Sequence, residues 1–139
     1  MGLKLEKILV TGAGGFIGSH LVETLVQAGK DVRAFVRYTS RNATGHLENI
    51  APETASAIEF YHGDFEDFAA VARAVEGVDK VFHLGALIAI PYSYAHPVDV
   101  VQANVLGTLN VLEACRHAGT GRVVLMSSSE VYGTARYAP

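Results

Sequence analysis

The sequence has 139 residues, half of them hydrophobic and 18% charged, with a formal net charge of −3. This apolar content suffices for one compact domain and excludes a disordered chain, while the negative charge argues against a nucleic-acid-binding domain. No apolar stretch approaches the roughly 20 residues of a membrane helix, and a single cysteine, Cys115, favours a cytoplasmic protein.

Short β-branched runs alternate along the chain with longer segments of helical period. The runs predict strands over residues 7–10, 31–36, 57–62, 80–84 and 122–127, and the periodic segments predict helices over 16–28, 65–75 and 97–117. Residues 38–54 are predicted as a loop with a short helix around Leu47. Along the last helix Val101, Val105, Leu109 and Leu112 form one apolar face.

The order of these elements indicates the fold class. Strands that are apolar throughout, each followed by a helix, are typical of a parallel sheet covered on both faces. Right-handed crossovers then produce an α/β, doubly wound parallel sheet of about five strands. We see no internal repeat or linker and treat residues 1–139 as one domain.

A glycine-rich loop joins the first predicted strand to the first helix. Gly12, Gly15 and Gly18 have the spacing G-x-x-G-x-x-G, with Phe16 and Ile17 beginning the helix. One glycine makes the tight turn, the next admits a pyrophosphate to the backbone, and the third lets helix and strand pack. Such turns also use glycine for conformation alone, but this context favours a dinucleotide-binding Rossmann unit.

The end of the second strand carries no acidic residue of the kind that binds the ribose 2′-hydroxyl of NAD. Arg37 and Arg41 stand there instead, and their charge suits the 2′-phosphate of NADP. We therefore favour NADP over NAD. The alternative is that both arginines are simply solvated.

Several further motifs follow in a fixed order. They cover residues 11–20, 63–64, 81–86 (V-F-H-L-G-A), 104–110 (N-V-L-G-T-L-N) and 127–133 (S-S-S-E-V-Y-G). With this set the chain resembles the extended short-chain dehydrogenase/reductase family, the NAD(P)-dependent nucleotide-sugar epimerases and dehydratases. Residues 87–94 are similar to the amino-sugar nucleotide 4,6-dehydratases within it.

The resemblance implies further cofactor-binding residues. Asp64 would bond the adenine amino group with Phe65 beside it, and Asn104 would help organise the site beneath the nicotinamide. Leu84, Gly85 and Ala86 would line the cofactor after the fourth strand. Two alternatives stay open from the residues: Asp64 could cap the following helix, and Asn104 could be a satisfied buried amide.

Two residues of the last motif carry the implied chemistry. Ser128 would bond the sugar hydroxyl that is oxidised at C4, and Glu130 would remove the C5 proton in a dehydratase. Ser129 stands where dehydratases have an aspartate, a feature shared with nucleotide-sugar acid decarboxylases. The resemblance therefore leaves dehydratase, epimerase and decarboxylase open.

The base of the family, a Tyr-x-x-x-Lys pair, does not occur in the sequence; Arg136 follows Tyr132 at that spacing. We expect the cofactor-binding portion of an enzyme for nucleotide-diphosphate sugars, with weak dinucleotide binding and no turnover. A non-catalytic dinucleotide-binding module is the alternative. An open edge at the fifth strand favours a homodimer. The six histidines show no metal-ligand spacing, and His83 is predicted as a core residue.

Overall fold

The computed structural model describes residues 5–134 and 136–137 and contains one five-stranded parallel sheet. The strands are β1 (Lys7–Thr11), β2 (Asp31–Arg37), β3 (Ile58–Gly63), β4 (Lys80–His83) and β5 (Arg122–Leu125). Their order is β3-β2-β1-β4-β5, and every neighbouring pair is parallel. The chain winds outward from β1 in one direction and then returns to the other side, which confirms the doubly wound prediction.

Helices connect the strands on both faces. They are α1 (Phe16–Gln27), α2 (Pro52–Ser56), α3 (Phe68–Val75), α4 (Ile90–Ala95), α5 (Pro97–Val101) and α6 (Gly107–Ala118). A π turn over Gln102–Leu106 joins α5 to α6, so residues 97–118 form one long helix. Short 3-10 helices occupy Gly45–Asn49 and Ser129–Tyr132. The sequence prediction did not include α4.

The helix predicted from residue 65 begins later than expected. The side chain of Asp67 accepts the N–H of Ala69 at 2.9 Å and caps α3. Asp64 instead accepts the N–H of Glu66 at 3.0 Å, a local turn outside the helix. The alternative in which Asp64 caps this helix is therefore wrong.

Two hydrophobic clusters flank the sheet because successive strand side chains point to opposite faces. In β1, Leu9 packs on the side of α3 and α6, whereas Ile8 and Val10 pack on the side of α1. Leu47, in the first 3-10 helix, is 2% exposed and closes the α1 side. The loop after β2 is thereby attached to the core.

The long helix does not pack through the apolar face that its sequence suggests. Val101, Val105, Leu109 and Leu112 are all between 42% and 58% exposed. The buried face carries mostly small residues: Ala103, Gly107, Val111, Ala114 and Cys115. Small residues are needed because the helix lies close to the loop before α3, and a Cβ at Gly107 would collide with the Phe65 ring.

An ionic network links the amino ends of the strands to the end of α3. Arg33 is 9% exposed and donates to the backbone carbonyls of Ala74 and Glu76. Its guanidinium also lies 2.9 Å from Glu59 and, by hydrogen bonding, lowers the pKa of that carboxyl. This arginine satisfies carbonyls at the C-terminus of α3 that the helix itself cannot pair.

Candidate dinucleotide-binding site

A cavity of about 840 Å³ opens at the carboxyl ends of the strands. Segments that follow β1, β2, β3 and β4 line it. It lies beside the boundary between β1 and β4, where the winding reverses direction. In open α/β sheets this switch point is where ligands bind.

The phosphate loop, defined as residues 11–18, forms one wall of the cavity. Gly12 has φ +67°, and a Cβ added there would lie 2.7 Å from the Gly85 nitrogen. A Cβ at Gly18 would lie 2.9 Å from the Ala13 Cα. Glycine is therefore required at both positions, by the left-handed backbone at the first and by close contact between the helix and the loop backbone at the second.

The N-terminus of α1 forms the end of this loop and offers unpaired backbone N–H groups. The Ser19 N–H bonds the Gly15 carbonyl at 2.9 Å, which leaves the N–H groups of residues 16–18 without an intrahelical acceptor. Gly15 provides no capping side chain, and the first turn contains no acidic residue. Backbone donors and the helix dipole together suit a phosphate group. The loop thus fits a dinucleotide.

The structure brings most of the predicted cofactor-binding residues to this cavity. Those that line it are Gly12, Gly15, Phe16, Ile17, Gly18, Arg37, Asp64, Phe65, Leu84, Gly85 and Ala86. Arg41 and Asn104 do not belong to the lining. The predicted residues that line it come from four chain segments, at the carboxyl ends of β1, β2, β3 and β4.

Arg37 and Asp64 lie against each other at the rim. The Arg37 Nε is 3.4 Å from an Asp64 carboxylate oxygen, and the arginine side chain is 72% exposed. Pairing follows from register, because Arg37 ends β2 opposite Gly63, the last residue of β3. Two residues predicted for separate cofactor groups therefore form one ion pair.

Asn104 acts on the cavity through a neighbour. Its side chain donates to the Leu87 carbonyl at 2.9 Å and accepts the Leu87 N–H at 2.8 Å. Asn104 lies in the π turn of the long helix, and Leu87 lines the cavity. The amide is satisfied by these two bonds, although it is half-buried and not buried as the alternative predicted, and it holds the segment after β4 in place.

His83 is buried beneath the same segment. Its Nδ1 lies 2.6 Å from the Thr11 hydroxyl and its Nε2 lies 3.1 Å from the Thr108 hydroxyl. Removal from water lowers the pKa of His83 to about 4. The imidazole is therefore neutral at physiological pH, and it joins the end of β1 to α6.

The predicted catalytic residues follow β5. Ser127 lines the cavity, and Ser128 and Glu130 come directly after it without being part of the lining. The Ser128 hydroxyl accepts the Glu130 N–H at 3.1 Å and caps the second 3-10 helix. Both residues are exposed. The two residues are therefore hydrogen-bonded to each other, next to the cavity-lining Ser127 and outside the lining itself.

Apart from Arg41, the residues of the loop after β2 were not predicted as part of the site. Thr39, Ala43, Thr44 and Gly45 line the cavity, and the His46 N–H bonds the Gly14 carbonyl at 2.9 Å. A Cβ at Gly14 would lie 2.8 Å from the Thr44 carbonyl oxygen. Gly14 and Gly45 are the only signal of this contact in the sequence, and the fold is needed to see that they meet.

Other chemistry is not apparent in the described residues. They contain no group of three or more His, Cys, Asp or Glu side chains arranged to hold a metal ion. Among the same residues no helix has the length and apolar character to span a membrane. Cys115 is buried, and burial raises the pKa of its thiol.

The fold and the site define a Rossmann-type dinucleotide-binding protein. The model of a family described as GDP-mannose 4,6 dehydratase matches residues 9–139. The chain belongs to this family of nucleotide-sugar epimerases and dehydratases, and several similar solved structures contain NAD.

Two curated relatives illustrate the range of the matches. UDP-glucose 4-epimerase of Neisseria meningitidis serogroup C is 36% identical over 131 residues, which are 93% of this chain and 38% of the relative. 2-Alkyl-3-oxoalkanoate reductase of Stenotrophomonas maltophilia is 43% identical over 125 residues, 90% of this chain and 34% of the relative. The chain thus spans little more than a third of their length.

Solved structures agree with the fold. A UDP-N-acetylglucosamine 4-epimerase from Methanobrevibacter ruminantium M1 superimposes with a TM-score of 0.84 at 32% identity, covering 99% of this chain and 42% of that one. A dTDP-glucose 4,6-dehydratase from Streptomyces venezuelae, solved with NAD bound, has a TM-score of 0.83 at 34% identity, with 95% and 42% covered.

Proposed function

We propose that residues 1–139 form the dinucleotide-binding portion of an NAD(P)-dependent enzyme that modifies a nucleotide-diphosphate sugar. The observation that carries this proposal is the cavity at the sheet's switch point, with the phosphate loop and the open N-terminus of α1 on one wall. Gly12, Gly15 and Gly18 would admit the pyrophosphate, and Asp64 and Phe65 would contact the adenine. When bound, the nicotinamide would supply the acceptor for a hydride from the sugar.

The proposed reaction begins with oxidation at C4 and continues by elimination or epimerisation. Ser128 uses its oxygen to accept the Glu130 N–H, so its own hydrogen is available to a sugar hydroxyl. Glu130 is an exposed carboxylate two residues along the chain and would take the C5 proton in an elimination. A decarboxylase with the same first step is the runner-up, because Ser129 replaces the dehydratase aspartate.

We also propose that the chain prefers NADP. The support is the cavity-lining Arg37 at the end of β2, where an acidic residue would select NAD. Its guanidinium is 72% exposed and uses Nε towards Asp64, so its terminal nitrogens can meet a 2′-phosphate. Arg41 lies outside the cavity lining and would contribute at longer range.

Two broader parts of the proposal rest on the surface and on composition. The exposed face of the long helix, with Val101, Val105, Leu109 and Leu112, and the exposed apolar residues of β5 support a homodimer. The single cysteine, buried as a thiol, supports a cytoplasmic setting.

One observation favours a second candidate function, a module that binds the dinucleotide without turnover. Residues 1–139 contain no Tyr-x-x-x-Lys, so this portion does not itself supply the base that the family uses for the oxidation. A protein of the relatives' full length would distinguish the two. There, Glu130→Gln is expected to stop the reaction after oxidation, and unchanged product formation would contradict the assigned role.

Binding can be tested on the 139-residue chain itself. Calorimetric titration with NADP+ and NAD+ should give binding to both and a lower Kd for NADP+. Arg37→Gln should remove the preference while leaving the Kd for NAD+ within about twofold. The matched control is Arg122→Gln, an exposed arginine at the start of β5, at the opposite end of the sheet from the cavity. Absence of binding by the unaltered chain would refute the dinucleotide assignment.

A further inference from the structure

We propose that His83 is a positioning residue of the dinucleotide site, which holds the phosphate loop and the segment after β4 together through the Thr11 hydroxyl. This inference rests on the proposed dinucleotide-binding function. The sequence predicts His83 only as a core residue, and its burial agrees with that, since it is 2% exposed. Its contacts with Thr11 and Phe65, however, lead towards the cavity.

The imidazole bridges two elements that meet below the site. His83 ends β4 opposite Thr11, the last residue of β1 and the residue before Gly12. On the Thr11 side the distance from Nδ1 to the hydroxyl oxygen is 2.6 Å, and on the other side Nε2 is 3.1 Å from the Thr108 hydroxyl of α6. The ring therefore spans from the phosphate loop to the long helix.

The surrounding hydrogen bonds determine which ring nitrogen carries the proton. The Thr11 hydroxyl oxygen already accepts the Gly85 N–H at 3.3 Å. Its single hydrogen is then best used towards Nδ1 of His83, which makes Nδ1 an acceptor. The ring hydrogen consequently lies on Nε2 and points to Thr108. The hydrogen bonds thus form a chain in which the Gly85 N–H donates to the Thr11 hydroxyl and the Thr11 hydroxyl donates to the imidazole.

Gly85 and Phe65, which both line the cavity, depend on these hydrogen bonds. A Cβ added at Gly12 would lie 2.7 Å from the Gly85 nitrogen, so the two loops are in close backbone contact. The Phe65 ring stands edge-on to His83 at a centroid distance of 5.7 Å and also packs against Gly85. Loss of the hydrogen bond between Thr11 and His83 would leave the buried Thr11 hydroxyl without an acceptor. The Gly85 segment beside the phosphate loop would then be held less firmly.

Three substitutions separate the two hydrogen bonds of the ring. His83→Asn keeps a carbonyl oxygen near the place of Nδ1, His83→Gln keeps an N–H near the place of Nε2, and His83→Phe keeps ring volume alone. The readout is the Kd of the unaltered 139-residue chain and each variant for the dinucleotide, NADPH or NADH, by fluorescence titration. We expect the Asn variant within about threefold of the unaltered chain, and the Gln and Phe variants at least about tenfold weaker, the size of one buried hydrogen bond.

A matched control distinguishes positioning from general destabilisation. Val75→Ala removes a fully buried side chain at the end of α3, which leads into the amino end of β4, away from the cavity. It should lower the Tm and leave the Kd unchanged. A second readout needs no ligand: nitrogen NMR of the His83 imidazole should show the Nε2–H tautomer, and it applies even if the Phe variant does not fold.

Each outcome has a defined meaning. Tight binding by both the Gln and Phe variants, an Asn variant as weak as they are, or an Nδ1–H tautomer would overturn the positioning role while leaving the proposed function intact. Weaker binding in Val75→Ala to the same degree would assign the effect to stability and overturn it as well. Absence of binding by the unaltered chain would instead refute the proposed function, and the positioning role with it.

Discussion

Acidification should destabilise this protein through His83, and the size of the effect follows from its burial. The pKa of this imidazole is about 4 in the folded chain against an ordinary value of 6.5. Between these values the unfolded chain binds a proton that the folded chain does not, so the free energy of unfolding falls as pH falls. From pH 7 to pH 4.5 the contribution is about 2 kcal/mol.

Urea unfolding followed by circular dichroism at several pH values measures this directly. His83→Asn is the comparison, because asparagine does not titrate and keeps an acceptor for Thr11. Other groups, such as Glu59 with its lowered pKa, change stability with pH in both proteins and cancel in the difference. The unaltered chain should lose about 2 kcal/mol more than the variant. Parallel curves for the two proteins would refute the reasoning.

Three further outcomes are expected. Gly12→Ala should abolish dinucleotide binding, because φ is +67° and the added Cβ would meet Gly85. The control is Gly121→Ala, which should bind normally in the same titration. Its Cβ would come no closer than 3.5 Å to any atom beyond its chain neighbours. Asn104→Leu should free the Leu87 segment and increase amide hydrogen exchange at Leu87 by mass spectrometry; unchanged exchange would contradict the clamp. Arg33→Met should lower the free energy of unfolding, measured in urea, by about 1–3 kcal/mol, because carbonyls at the end of α3 lose their hydrogen-bond donor. An unchanged free energy of unfolding would contradict this and would show that water replaces the guanidinium as donor.

The fold was predictable because its signals are local. Continuous apolar strands alternating with helical segments imply a parallel sheet, and the glycines at 12, 15 and 18 mark a turn between strand and helix. Strand boundaries agree with the structure to within one or two residues. Residues that follow strands in the sequence must collect at one edge of a parallel sheet, which is why most predicted cofactor residues line the cavity.

The errors have a common physical origin in packing between distant segments. The apolar face of the long helix was easy to recognise, yet the sheet takes the small-residue face because the Phe65 ring occupies the space at Gly107. The loop after β2 carries few apolar residues, and its place in the site depends on its contact with Gly14. Neither neighbour is close in sequence.

By itself, then, the sequence determined the class of fold, the phosphate loop and the family to which the chain belongs, since these depend on local patterns and on the order of motifs. Only the tertiary structure decided that Arg37 meets Asp64, that Asn104 holds Leu87, and that His83 connects Thr11 to the long helix. These pairs are separated by up to 72 residues along the chain. Their contact arises from strand register and helix packing, which no local pattern specifies.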